Sequence, residues 1–322
     1  MNKPYVYITR TLPEEIVEPF RETFTVKMWG SKEQPVDREV LLEEAGKADA
    51  LITMLSDQVD EELLSKGENV KVIANLAVGF DNIDIKAAEK KGVTITNTPD
   101  VLTETTADLT FGLLMATARR LMEANEYVQN GDWKNWAPLL MAGHDIHHKT
   151  IGIVGMGRIG EAVAHRAKGF HMNILYHNRS RKQDAEEKLG AVYASLDELV
   201  TQADFVVCLA PLTPETKGMF NKEIFKKMKS SAIFVNASRG DNANEEDLYE
   251  ALVEGEIAAA GLDVFENEPI SEDHPLLSLQ QVVALPHIGS ASVETRKAMM
   301  NLCLENVQLV LNEKEPKTKV TS

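Results

Sequence analysis

The stretch Thr150–Ser180 (T-I-G-I-V-G-M-G-R-I-G-E-A-V-A-H-R-A-K-G-F-H-M-N-I-L-Y-H-N-R-S) constrains the fold more than any other part of the chain. Ile151, Ile153 and Val154 form a short apolar run that predicts a buried strand. Gly155, Gly157 and Gly160 follow in the spacing G-x-G-x-x-G. Glu161–Lys168 then predicts a helix, and Asn173–Tyr176 a second strand. Such glycines alone are a weak signal; between a strand and a helix of one βαβ unit they are a strong one. Gly155 permits a tight turn, and Gly157 leaves the backbone open to a pyrophosphate. Gly160 allows the helix to pack closely on the strand. The helix start adds unpaired N–H groups and the positive end of its dipole. The bland alternative, a glycine-rich turn without a ligand, does not explain this context.

At 322 residues the chain is long enough for about two domains with separate cores. Ahead of the glycines, residues 4–97 alternate strand and helix patterns. Strands are predicted at Tyr5–Thr9, Phe24–Met28, Ala50–Thr53, Val72–Asn75 and Val93–Thr96. Helices are predicted at Pro13–Phe20, Arg38–Ala45, Glu61–Ser65 and Ile85–Lys91. This alternation implies a small parallel, doubly wound sheet. T-R-T-L-P follows its first strand where a phosphate-binding turn would stand, so no nucleotide is expected there. Asn97–Asp100 breaks the pattern, and one long helix is predicted from Thr103 to Asn130. Gly131–Lys149 reads as irregular and carries Trp133 and Trp136. Further strands are predicted at Ala191–Tyr193, Phe205–Leu209, Ala232–Asn236, Ala258–Leu262 and Val282–Leu285. A last helix follows over Ala291–Leu311, and the tail is expected to fray. The expected fold is therefore α/β, with two doubly wound parallel-sheet domains. A Rossmann dinucleotide-binding domain (101–288) is inserted into a flavodoxin-like substrate domain (1–100 plus 289–322).

The formal net charge of −16 argues against non-specific binding to nucleic acid or an anionic membrane. Cys208 and Cys303 have neither metal nor redox spacing, which fits a reducing cytosol. The N-terminus lacks the apolar core of a signal peptide, so a cytoplasmic location is expected.

Three polar residues stand just past predicted strands: Arg239 after I-F-V-N-A-S, Glu268 after A-A-G-L-D-V-F-E-N, and His287 after V-V-A-L-P. Ligands of open α/β sheets sit beyond the carboxyl ends of strands. Singly, each is as easily a surface charge or a helix cap. Together they suit reduction of a 2-keto acid. Arg239 offers a planar fork for a carboxylate and carbonyl. His287 offers a proton to the oxygen as hydride reaches carbon. Glu268 orients the imidazole and favours its protonated form.

The runs G-M-G-R-I-G, V-N-A-S-R-G-D, A-A-G-L-D-V-F-E-N-E-P and L-P-H-I-G-S-A-S resemble the D-isomer-specific 2-hydroxyacid dehydrogenases. With N-L-A-V-G-F-D-N-I-D-I at 75–85, the chain looks most like the glyoxylate/hydroxypyruvate and 2-ketogluconate reductases. The resemblance covers nearly the whole chain. It implies the roles of Arg239, Glu268 and His287 given above, with the Val78-Gly79 backbone gripping the substrate carboxylate. It implies Asp263 on the nicotinamide carboxamide and Thr106 near the ring. It further implies cofactor contacts at Arg158, Ile159, Ala210, Pro211, Thr216, Ala237, His287 and Gly289. It implies a homodimer with the Trp133–Trp136 loop at the partner contact. Its small substrate would be glyoxylate or hydroxypyruvate; 2-ketogluconate reduction, D-3-phosphoglycerate oxidation and a dinucleotide-sensing corepressor are the alternatives. Relatives often have an apolar pair and an acid after R-G. Asp241-Asn242-Ala243-Asn244 departs from that, altering the lead-in to the next helix and leaving the arginine alone.

An NAD site places an acid about 20 residues past the glycines, on the ribose 2′-OH. Here the second strand runs into His177-Asn178-Arg179-Ser180, with no acid before Asp184. Arg179 offers a fork to a 2′-phosphate, and Asn178 and Ser180 add neutral donors, with Arg181 at the rim. NADPH is therefore expected over NADH. His144-Asp145-x-His147-His148 is read as a polar loop, since neighbouring histidines need not share a face and hydride transfer to a nicotinamide needs no metal.

Overall fold

Every strand of the computed structural model, which describes residues 3–321, runs parallel to its neighbours. The chain divides into two compact units, one from Thr103 to Ala291 and the other from the residues up to Leu102 and from Ser292 on.

The outer unit holds β1 (Tyr5–Ile8), β2 (Thr25–Met28), β3 (Ala50–Thr53), β4 (Val72–Asn75) and β5 (Thr94–Thr96), in the order β2-β1-β3-β4-β5. β3 and β4 are buried at every residue. Covered on both faces, they read as continuous apolar runs rather than alternating ones. Asp60 and Asp84 open the helices Glu61–Lys66 and Ile85–Lys91 by accepting from the amides of Leu63 and Ala87. The helix Val293–Leu311 buries Met299, Cys303 and Val307 and packs on β3, β4 and β5. The tail does not fray. Val320 is buried, its N–H donates to Ile95 O at 2.9 Å, and Lys319 bridges Thr96. An apolar residue against the edge strand outweighs the usual looseness of a terminus.

The inner unit holds β6 (Thr150–Val154), β7 (Asn173–His177), β8 (Val192–Tyr193), β9 (Phe205–Cys208), β10 (Ile233–Asn236), β11 (Ala259–Leu262) and β12 (Val282–Ala284). Their order is β12-β11-β10-β9-β6-β7-β8. The order reverses between β6 and β9, which opens a crevice beyond the carboxyl ends of those strands. Phe220, Phe225 and Phe234 pack together beneath one side of the sheet, with ring centroids 4.7–6.4 Å apart; Phe225 and Phe234 meet edge to face and the other two pairs are tilted.

The single long helix predicted over Thr103–Asn130 is two, Thr103–Ala118 and Leu121–Gln129. Arg120 between them has φ +54°. The crossing loop explains the break: His144 N–H donates to Ala118 O at 2.8 Å, and a side chain at Gly143 would lie 2.2 Å from that oxygen. Apolar periodicity continues past Ala118, but the last carbonyl is taken by a distant segment. Among the described residues, no helix is long and apolar enough to cross a membrane.

Candidate active site

Arg239, Glu268 and His287 follow β10, β11 and β12, three adjacent strands of one sheet. Each is set by its own backbone. Asn236, fully buried, accepts from Ser238 N–H and donates to Arg239 O at 2.9 Å, curling the chain at the end of β10. Gly240 then packs so tightly that a Cβ there would lie 1.8 Å from the Phe265 carbonyl carbon. Only glycine can follow the arginine while the two loops stay in contact.

Glu268 Oε1 accepts from Phe265 N–H at 3.0 Å, and its Oε2 lies 2.6 Å from His287 Nδ1. Burial pushes the Glu268 carboxyl upward. The hydrogen bond and charge of His287, the Phe265 amide and the Arg239 charge outweigh that, and hold it below the ordinary carboxylate range. The imidazole is 30% exposed, so it borders solvent while its Nδ1 is engaged.

His287 has φ +52°, in the left-handed region. Asp263, 1% exposed, holds the turn: its two oxygens accept from the amides of Ile288 and Gly289, each at 2.8 Å. Burial raises the Asp263 carboxyl, offset only in part by those amides and by His287. A Cβ at Gly289 would meet Asp263 Oδ2 at 3.2 Å and Thr106 at 3.3 Å, so these three residues lie side by side.

At the crevice, Gly155 takes φ +104°, which a side chain would strain. A Cβ at Gly160 would lie 2.3 Å from Gly155 O, so the helix Arg158–Gly169 sits directly on the turn. Open space lies over Gly157. The three glycines thus divide the work as their spacing predicts, and leave a cradle at a helix start that fits a pyrophosphate.

Residues 111–289 match the model of the D-isomer specific 2-hydroxyacid dehydrogenase NAD-binding domain. The chain is 51% identical to a glyoxylate reductase of Thermococcus onnurineus, over 99% of this chain and 96% of that one. A solved Thermus thermophilus protein superposes with a TM-score of 0.92 at 42% identity, covering 98% of this chain and all of the other. An NADPH-dependent glyoxylate/hydroxypyruvate reductase of Sinorhizobium meliloti, solved with NADP and malonate, gives 0.85 at 30% identity, covering 99% and 97%.

The chain belongs to the D-isomer specific 2-hydroxyacid dehydrogenase family.

In this dehydrogenase the other expected cofactor residues also border the carboxyl ends of the inner sheet. Ala210 and Pro211 follow β9, where Thr216 Oγ1 donates to Pro211 O at 2.7 Å. Ala237 follows β10 and donates its N–H to Cys208 O at 3.3 Å. Asn178, Arg179 and Ser180 follow β7; Arg179 and Ser180 are exposed. Arg181, expected at the rim, is committed elsewhere: it donates to Glu186 at 3.0 and 2.6 Å and lies 5.8 Å from the Tyr193 ring centre. Val78 and Gly79 lie in the other unit, just past β4.

Asn242 was missed as a contributor. It is fully buried and donates to Ala210 O at 2.7 Å and Ser238 Oγ at 3.0 Å. The departure after R-G therefore does not leave the arginine's surroundings alone; it ties the Arg239 loop to the loop after β9. The signal in the sequence is a polar residue where the resemblance implies an apolar one. Asn244, from the same departure, caps the helix Glu245–Val253 by accepting from Asp247 N–H.

Proposed function

We propose that this dehydrogenase reduces glyoxylate and hydroxypyruvate to glycolate and D-glycerate, with NADPH preferred over NADH. The observation that carries this reading is the 2.6 Å contact between Glu268 and His287, beside Arg239, at the ends of three adjacent strands. The name of its 51% identical relative supports the substrate class.

The Thr103–Ala291 unit would hold the cofactor, with its pyrophosphate over Gly157 and at the start of the helix Arg158–Gly169. When bound, the reduced nicotinamide supplies a hydride to the keto carbon. Arg239 holds the substrate carboxylate and keto oxygen in its planar fork. His287 gives its proton to the keto oxygen, so C=O becomes CH–OH. Glu268 fixes the proton on Nδ1, which leaves Nε2 as the donor. The amides of Val78 and Gly79 hold the carboxylate. Asp263 keeps the His287 turn in place, and each of its oxygens has a second lone pair for a nicotinamide carboxamide.

The reading includes a homodimer in the cytoplasm. Trp133, Trp136 and Leu139 are 57%, 74% and 82% exposed, which supports a partner contact on that loop. Cys208 and Cys303 are buried free thiols, as suits a reducing compartment.

A panel of 2-keto acids assayed with each cofactor tests the substrate class. Glyoxylate and hydroxypyruvate should give the highest kcat/KM. A clearly higher value for 2-ketogluconate or a phosphorylated 2-keto acid would overturn the assignment.

A further inference from the structure

The turn that follows β4 has its carbonyls and its amides sorted to different partners. Three successive carbonyls are taken by the protein. Ala77 O accepts from Thr98 N–H at 2.8 Å, Val78 O from Asn97 Nδ2 at 2.8 Å, and Gly79 O from Asn75 Nδ2 at 3.0 Å. Among the described residues, the N–H groups of Val78, Gly79 and Phe80 have no protein acceptor. In a trans peptide the N–H points opposite to the C=O of the same plane. Fixing the Ala77 carbonyl therefore aims the Val78 N–H. Fixing the Val78 carbonyl aims the Gly79 N–H, and fixing the Gly79 carbonyl aims the Phe80 N–H.

We propose that Asn97 and Asn75 are positioning residues, which pre-aim the Gly79 and Phe80 amides at the carboxylate of the 2-keto acid. This rests on the reading that the Val78-Gly79 backbone binds that carboxylate, and it adds the Phe80 N–H as a third donor. Both asparagines are held in turn. Asn75 is fully buried, and its Oδ1 accepts from Thr53 Oγ1 at 3.1 Å. Asn97 is 9% exposed, and its backbone oxygen accepts from Thr318 Oγ1 at 2.6 Å. The peptide planes are thus oriented before substrate arrives, which spares the reorganisation that a free turn would undergo on binding an anion.

The test uses the full chain with saturating cofactor. Asn97→Ala and Asn75→Ala remove the donors, and Asn97→Asp keeps the shape while turning a donor into an acceptor. The expected result is a rise of about 10-fold or more in KM for glyoxylate and in Ki for oxalate, a charged-acceptor hydrogen bond being lost. Turnover should change far less, because the carboxylate is gripped alike in ground and transition state. Val72→Ala, a core variant of β4, controls for loosening of the sheet and should leave KM in place. A rise in KM with Val72→Ala equal to that of the asparagine variants would overturn the positioning role. Gly79→Pro deletes one of the amides outright and tests the underlying reading. If it raises KM while the asparagine variants do not, the carboxylate reading stands and the positioning proposal fails. If neither raises KM, both fail.

Discussion

Glu268 Oε2 accepts from His287 Nδ1 at 2.6 Å, while His287 itself is held at φ +52° by a turn whose amides bind Asp263. A histidine in the left-handed region costs on the order of 1 kcal/mol. Two buried carboxylate–amide hydrogen bonds offset that cost. The imidazole is therefore fixed by two acids with different tasks: Asp263 sets where the ring sits, and Glu268 sets which nitrogen carries the proton.

His287→Asn should lower the reductase rate roughly 100-fold or more, the usual contribution of a positioned acid. Cofactor affinity, measured by fluorescence titration, should fall far less than the rate, because His287 is one cofactor contact among many. Near wild-type turnover would remove His287 from the mechanism.

Glu268→Gln should change the acid side of the stability profile. The Glu268 carboxyl is held below its ordinary value, so its contribution is fully present above the unfolded value of about 4.3 and is lost as pH falls through the folded one. Melting temperature against pH should fall less steeply below about pH 4.3 in the variant than in the parent. Parallel profiles would show that the pair contributes nothing to acid stability.

Arg239→Lys keeps the charge but loses the planar fork. KM for glyoxylate should rise strongly and kcat should fall. Wild-type KM in Arg239→Ala would refute the anchoring role.

Two glycines separate folding from ligand binding. A Cβ at Gly240 would overlap the Phe265 backbone, whereas one at Gly157 meets only open space. Gly240→Ala should lower the unfolding free energy by about 3 kcal/mol or more, or prevent folding, as overpacking against backbone does. Gly157→Ala should melt with the parent yet bind dinucleotide more weakly. Equal melting losses in both variants would contradict this division.

Much of the site was legible because its chemistry sits at strand ends, where apolar runs stop and one polar residue follows. Arg239, Glu268 and His287 each mark such a stop, and the glycine spacing carried its turn with it. What escaped was set by contacts distant in sequence. The helix break at Arg120 depends on a loop that returns at His144. The order of the tail depends on Val320 meeting Ile95. Asn242 looked like part of a helix lead-in, and its role appears only when the loops after β9 and β10 lie side by side. Arg181 resembled a second phosphate ligand until Glu186, from the next helix, claimed it.

That last contact sharpens the expectation for cofactor choice. No acid stands at the end of β7 to repel a 2′-phosphate; His177, Asn178, Arg179 and Ser180 follow instead. Arg179 is exposed and makes no close salt bridge among the described residues, though its charge helps to lower the Glu215 carboxyl. Arg181 is already paired with Glu186 and lies over Tyr193. The two arginines should therefore behave differently. kcat/KM for NADPH should exceed that for NADH with one keto acid at fixed salt. Arg179→Ala should lower the NADPH value by roughly 10- to 100-fold, the worth of a charge-assisted hydrogen bond, and leave NADH nearly unchanged. Arg181→Ala should have a smaller effect. The preference should weaken as salt is raised, because an exposed phosphate contact is screened. An NADH value equal to or above the NADPH value would sink the preference. A preference that survives Arg179→Ala would keep the cofactor assignment but move the phosphate contact to another residue, and Arg181 freed by Glu186→Gln would be the first to test.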